Sequence, residues 1–121
     1  MTLTAQTGCQ GEELAAEYLR RQGFELCDRN WRCGRYEIDI VARRYDELHF
    51  VEVKTRRAGG LTSPEQAITV SKCRALVRGA AAYMAQHACD LEPCFDLIAV
   101  DMLPGGDAEV RFIADAIESH W

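Results

Sequence analysis

The sequence predicts a single α/β domain spanning residues 1–121, with helices packed around a mixed β-sheet. Three observations support this class. An amphipathic segment opens the chain, three apolar strands follow one another with short polar links, and a second helical segment precedes a further strand. The chain has 121 residues, of which 48% are hydrophobic and 27% charged, as in an ordinary globular protein. We therefore expect the element order α-β-β-β-α-β-β.

A capping pattern and an apolar face predict the first helix. Thr7 can cap its start, with Gln10 completing a capping box, and Gly23 is a typical terminating residue. Its apolar face consists of Leu14, Ala15, Tyr18 and Leu19.

Three strands are predicted next, over residues 24–32, 36–43 and 47–55. A short polar link joins the last two strands and favours antiparallel pairing. Alternation places Ile38 and Ile40 on one face and Asp39 on the other. It also places Glu52 and Lys54 side by side on one face of the following strand.

A second helix is predicted to start near Ser63, with Pro64 in its first turn and Gln66 completing a capping box. Its apolar stripe consists of Cys73, Leu76, Val77, Ala80, Tyr83 and Met84. Residues 94–103 then predict a strand and residues 104–107 a turn. Residues 109–117 predict a final strand or a short helical end.

Three ionisable residues in the middle strands suggest a site that hydrolyses phosphodiesters. Asp39 and Glu52 offer the carboxylate oxygens that Mg²⁺ or Mn²⁺ prefers, and the carbonyl of Val53 lies beside them. Lys54 can orient the attacking water or stabilise charge on the phosphate. The alternative is a half-exposed hairpin on which a glutamate and a lysine simply form a surface pair.

Two further candidates for catalysis have simpler alternatives. Glu12 can support the metal, but an acidic residue early in a helix also favours the helix dipole. Gln66 can face the site or serve only as a cap. The residues predicted to contact nucleic acid through its phosphates are basic: Arg32, Arg56, Arg57 and Lys72.

The distribution of charge is uneven. The net charge is −5, yet 13 of the 14 basic residues lie between Arg20 and Arg78. This fits either a basic binding face on an acidic body or an unevenly charged surface. The sequence shows neither a signal peptide nor a membrane span, so we expect a cytoplasmic location. The six cysteines lack zinc-site spacing and are expected to be thiols, and His49, His87 and His120 are expected to pack or face solvent.

Several motifs together resemble a known family. The stretches GEELAAEYLRRQGF, EIDIVA, FVEVKTR and SPEQAITVSKCRAL follow the order and spacing of the YraN-like family of small bacterial proteins. That resemblance implies a restriction-endonuclease-like α/β/α sandwich with a PD-(D/E)XK nuclease signature, similar to archaeal Holliday-junction resolvases. It implies acidic, metal and lysine positions at Glu12, Asp39, Glu52 and Lys54. A homodimer is expected only by analogy with resolvases.

The leading hypothesis is therefore a metal-dependent nuclease-like protein that acts on DNA, including branched structures. Two alternatives remain open. One is a non-catalytic nucleic-acid-binding or protein-interaction module that retains the nuclease fold. The other is a structural partner whose acidic final third docks another chain.

Overall fold

Two α-helices and five strands are present among the residues that the structure describes. A computed structural model describes the backbone of residues 5–57 and 69–117 and the side chains of residues 10–57 and 69–117. In chain order the elements are α1 (Ala5–Arg21), β1 (Glu25–Cys33), β2 (Tyr36–Arg44), β3 (Glu47–Arg57), α2 (Val70–Gln86), β4 (Glu92–Met102) and β5 (Ala108–Ile113). A short 3-10 helix, Pro104–Gly106, joins the last two strands. The predicted order of elements is confirmed, and the final element is a strand.

The five strands form one mixed sheet in the spatial order β1-β2-β3-β4-β5. The β3–β4 pair is parallel and the other three pairs are antiparallel. The helix α2 lies between β3 and β4 along the chain and supplies the crossover that a parallel pair needs.

Each face of the sheet is covered by one helix. The face under α1 packs Ala15, Ala16 and Leu19 against alternate residues of the central strands: Ile40, Ala42, Val51, Ile98 and Val100. The face under α2 packs Cys73, Leu76, Ala80 and Tyr83 against the intervening set: Ile38, Val41, Leu48, Phe50 and Phe95. The central strands are therefore apolar on both sides, as a sheet between two helical layers requires.

The prediction that Ile38 and Ile40 share a face is wrong. Ile38 packs under α2, whereas Ile40 packs under α1. The regular alternation of β2 therefore breaks at Asp39. Asn30 lies between the paired positions on β1 and has a φ of 52°, so the neighbouring strand is irregular at the same place.

The second helix also differs from its prediction at its start. Thr69 is extended, with ψ of 160°, and its side chain accepts a hydrogen bond from the Lys72 N–H at 3.1 Å. The helix with the apolar stripe therefore begins at Val70 rather than continuing from Ser63. The predicted roles of Ser63, Pro64 and Gln66 lie outside the described residues.

Candidate active site

Asp39 lies where β2 separates from β3. The backbone pairing between these strands runs from Arg44 opposite Glu47 to Ile40 opposite Val51 and continues no further. Beyond it, the N–H of Val53 donates a hydrogen bond of 2.8 Å to Oδ2 of Asp39. The carboxylate thus takes the place of a backbone carbonyl, and it is held against the middle of β3.

Glu52 and Lys54 lie on the face of β3 that α2 covers. Phe50, two residues before Glu52, packs in the apolar cluster under α2, as the predicted alternation requires. Lys72, in the first turn of α2, donates from Nζ to Oε1 of Glu52 at 3.3 Å. The Glu52 side chain is 18% exposed and that of Lys72 is 49% exposed, so this contact lies at the solvent edge of the site.

The two carboxylates strongly influence each other. Burial, together with the negative charge of Glu52, raises the pKa of Asp39 to about 7. The charge of Glu12 adds to this increase in pKa, whereas the hydrogen bond from Val53 opposes it. Asp39 is therefore poised to bind either a proton or a cation near neutral pH.

Lys54 and Lys72 form a coupled pair beside these carboxylates. The hydrogen bond with Lys72 is the largest cause that lowers the pKa of Lys54, and burial lowers it further. The same hydrogen bond raises the pKa of Lys72, as does the charge of Glu52. Lys54 is consequently the lysine that loses its proton more readily, while Lys72 retains its charge.

A glycine in α1 brings the helix close to β3. A Cβ placed on Gly11 would lie 1.8 Å from Oγ1 of Thr55, so only glycine permits this approach. The neighbouring residue, Glu12, is half-buried, and its charge contributes to the raised pKa of Asp39. Glu12 therefore lies close enough to Asp39 to affect the protonation of that carboxylate.

The basic residues expected at the DNA backbone have different surroundings. Arg32 is 72% exposed and lies 3.4 Å from Oε1 of Glu37. Arg56 donates from Nε to Oδ1 of Asp101 at 2.8 Å. Arg57, at the end of β3, is exposed. Lys72, which was predicted to contact phosphate, lies against Glu52 inside the carboxylate site.

Sequence reasoning missed the place of Lys72 in this site. The residue is 20 positions from Glu52, and only the packing of α2 on the sheet brings the two together. One signal was present, since Lys72 lies in the first turn of α2 and one turn before Leu76, a residue of the apolar stripe. The packing of α2 on the sheet turns this side of the helix toward Glu52.

The fold and this site define a class: an α/β fold that gathers paired carboxylates and lysines where two strands of a mixed sheet separate. The chain belongs to the uncharacterised protein family UPF0102, whose model matches residues 11–100. This match includes every described residue of the site: Glu12, Asp39, Glu52, Val53, Lys54 and Lys72. The family membership expected from the motifs is confirmed.

Several bacterial relatives are similar over most of the chain. The UPF0102 protein of Syntrophotalea carbinolica is 46% identical over 112 residues, covering 92% of this chain and 90% of the relative. A UPF0102 protein of Geobacter sulfurreducens is 41% identical over 112 residues, covering 92% of this chain and 88% of the relative. One from Porphyromonas gingivalis is 43% identical over 102 residues, covering 84% and 76%. Within the described part of this chain, no helix is long and apolar enough to cross a membrane.

Proposed function

We propose that this protein is a metal-dependent nuclease that hydrolyses phosphodiester bonds in DNA. The observation that carries the proposal is the raised pKa of Asp39, which reaches about 7 because the carboxylate is buried close to Glu52. Two carboxylates held this close repel each other, and a divalent cation between them would relieve that repulsion.

The donor set fits a hard cation. Asp39 and Glu52 supply carboxylate oxygens from adjacent strands, and the carbonyl of Val53 is the third ligand that we assign. Mg²⁺ and Mn²⁺ favour oxygen ligands, and Mg²⁺ usually retains several waters when few protein groups bind it. A cation held there supplies Lewis-acid stabilisation of the phosphate and an activated water.

Lys54 is the group that we assign to the proton transfer. Its lowered pKa increases the fraction of neutral amine, which can accept a proton from the attacking water. Lys72 serves as the positive neighbour that keeps Lys54 neutral, and its contact with Glu52 orients that carboxylate. Glu12 adds a third negative charge that favours cation binding.

DNA is the substrate that the basic part of the chain favours. The segment between Arg20 and Arg78 contains 13 of the 14 basic residues. Exposed Arg57 follows the site directly along β3, and exposed Arg32 lies on β1. We assign both to contacts with the phosphates of a bound backbone. Branched DNA is the substrate shape that we propose to test first, and a two-fold homodimer is the oligomeric state that we propose to test first.

Cleavage assays test this function directly. Linear, flapped and four-way DNA would be incubated with the protein in Mg²⁺, in Mn²⁺ and in EDTA. We expect cleavage only with metal, and its loss in Asp39→Asn and Lys54→Met. Asp46→Asn is the matched control because Asp46 is an exposed carboxylate in the turn between β2 and β3.

Two outcomes would contradict the proposal. Intact DNA in every metal and with every substrate shape would argue against a nuclease. Cleavage that persists in Asp39→Asn would argue against this site. Salt-sensitive DNA binding that is indifferent to metal and to Asp39→Asn would instead favour a non-catalytic binding module.

A further inference from the structure

A second group of ionisable side chains lies at the opposite end of β3. Glu47 and His49 are two residues apart on β3, and Cys94 and Asp96 are two residues apart on β4. The parallel register places His49 directly beside Cys94. One ligand atom from each of Glu47, His49 and Cys94 lies within 4.8 Å of the other two. This cluster shares no residue with the proposed nuclease site.

The imidazole of His49 is held in one orientation. Its Nδ1 lies 2.5 Å from Oδ2 of Asp96, whose side chain is only 1% exposed. The other oxygen of Asp96 accepts a hydrogen bond of 2.9 Å from the N–H of Asp115. Phe24 packs edge-on against the imidazole, with ring centroids 4.9 Å apart. Because a carboxylate accepts hydrogen bonds, Nδ1 carries the hydrogen and Nε2 is directed elsewhere.

Nε2 of His49 faces a carboxylate. Oε1 of Glu47 lies 3.3 Å from it. Lone pairs on both atoms would repel each other at this distance, so a positive species must lie between them, either a proton or a metal ion. Among residues 10–57 and 69–117, His49 is the only ion-pair partner of Glu47 and of Asp96. The cluster is therefore rich in negative charge.

The geometry also suits a metal ion. Two ligands about 2.1 Å from a tetrahedral zinc ion lie roughly 3.4 Å apart, close to the separation between Glu47 and His49. Without a metal, Glu47 would need protons from both Nε2 of His49 and the thiol of Cys94, whereas one divalent cation replaces both. A carboxylate that accepts from the second ring nitrogen of a metal-binding histidine is a recurring arrangement, and Asp96 occupies that position.

We propose that Glu47, His49 and Cys94 form a Zn²⁺ site, in which Asp96 orients His49. The mixed nitrogen, sulfur and oxygen donors suit Zn²⁺, whereas Mg²⁺ prefers oxygen alone. The site joins the first residues of β3 and β4, the parallel pair at the centre of the sheet. Glu47 is 44% exposed, so a water molecule can fill the fourth coordination position. This proposal does not depend on the nuclease function.

Cobalt spectroscopy and zinc calorimetry provide the test. Protein without an affinity tag would be stripped of metal with a chelator and titrated with ZnCl₂ or CoCl₂. We expect one site per chain that prefers Zn²⁺ over Mg²⁺, and a thiolate-to-Co²⁺ charge-transfer band that Zn²⁺ abolishes. Cys94→Ser should remove the band, whereas Cys27→Ser, at an exposed cysteine, should retain it. Asp96→Asn should weaken Zn²⁺ binding about 10- to 100-fold.

Two kinds of result would contradict the proposed Zn²⁺ site. Wild-type protein that binds Co²⁺ without a charge-transfer band, or that binds neither Zn²⁺ nor Co²⁺, would show that a proton bridges Glu47 and His49. Retention of the band in Cys94→Ser would exclude Cys94 as a ligand. The wild-type spectrum decides the question even if a variant fails to fold. Asp39→Asn should leave the band unchanged, which separates this test from that of the nuclease function.

Discussion

The backbone N–H of Val53 donates its hydrogen bond to the side chain of Asp39, although regular pairing of β2 with β3 would give it a backbone carbonyl. This substitution has two consequences. It fixes the carboxylate beside Glu52, and it ends the backbone pairing between the two strands at that point. The candidate active site therefore occupies the gap that the separation of β2 from β3 creates.

Replacing Asp39 with asparagine should stabilise the metal-free protein increasingly as pH rises. Folding raises the pKa of Asp39 from its ordinary value of 3.8 to about 7. Between these values the folded state binds more protons than the unfolded state, so the free energy of unfolding falls as pH increases. The asparagine side chain of the variant cannot titrate. We expect the variant to gain about 1–3 kcal/mol over wild type between pH 5 and pH 8, since solvent screening reduces the effect.

Urea denaturation in EDTA, followed by tryptophan fluorescence, measures this difference in unfolding free energy. Subtracting wild type from variant cancels the other groups whose pKa changes on folding. His49 is one of them: burial lowers its pKa, but the hydrogen bond and charge of Asp96 raise it overall. Asp46→Asn should show no such trend. A difference between wild type and Asp39→Asn that stays constant with pH would contradict the raised pKa.

Replacing Lys72 with methionine should move the pH–rate profile of DNA cleavage to higher pH. Lys72 is the largest cause of the lowered pKa of Lys54. Without it, Lys54 retains its proton to higher pH, and the neutral amine forms later in a titration. We expect the ascending limb of the plot of kcat against pH to shift to higher pH. Arg74→Met, at an exposed position on the same helix, is the control and should leave the limb in place.

The two neighbouring arginines at the end of β3 should behave differently. Arg57→Ala should weaken DNA binding and reduce, by about one, the slope of the logarithm of the binding constant against the logarithm of salt concentration. It should not change the free energy of unfolding, because this side chain is exposed. Arg56→Ala should lower the free energy of unfolding by about 1–3 kcal/mol, because it removes the closer of the two charged partners of largely buried Asp101, the other being Arg111 at 3.7 Å. Fluorescence anisotropy at several salt concentrations and urea denaturation separate these effects. Equal loss of stability in both variants would contradict the assignment.

Replacing Gly11 with alanine should destabilise the domain and displace Glu12. The added Cβ would lie 1.8 Å from Oγ1 of Thr55 and 2.9 Å from its Cβ. Overpacking of this kind costs about 1–3 kcal/mol. Gly79→Ala is the control. The Cβ added at Gly79 would lie 3.3 Å from Cβ of Tyr36, its nearest neighbour, and a small shift can relieve this contact. Combining Gly11→Ala with Thr55→Ala should recover part of the loss in urea denaturation.

The amino-acid sequence was sufficient to predict the order of the elements and the direction of the side chains along β3. Alternation along β3 predicted that Glu52 and Lys54 share a face, and the structure places Phe50 of the same set under α2. These predictions succeed because side-chain direction in a strand follows from a local repeat of two. The short link before Glu47 likewise predicted the antiparallel pairing of β2 and β3.

Contacts between residues far apart in the sequence depend on tertiary packing. The break in alternation at Asp39 depends on the N–H of Val53, and the contact of Lys72 with Glu52 depends on where α2 packs. The cluster of His49 and Cys94 requires the parallel pairing of strands 45 residues apart in sequence. Local periodicity does not predict which strands pair, because the chain permits many pairings. The pairing that forms is the one that buries the sheet between the two helices.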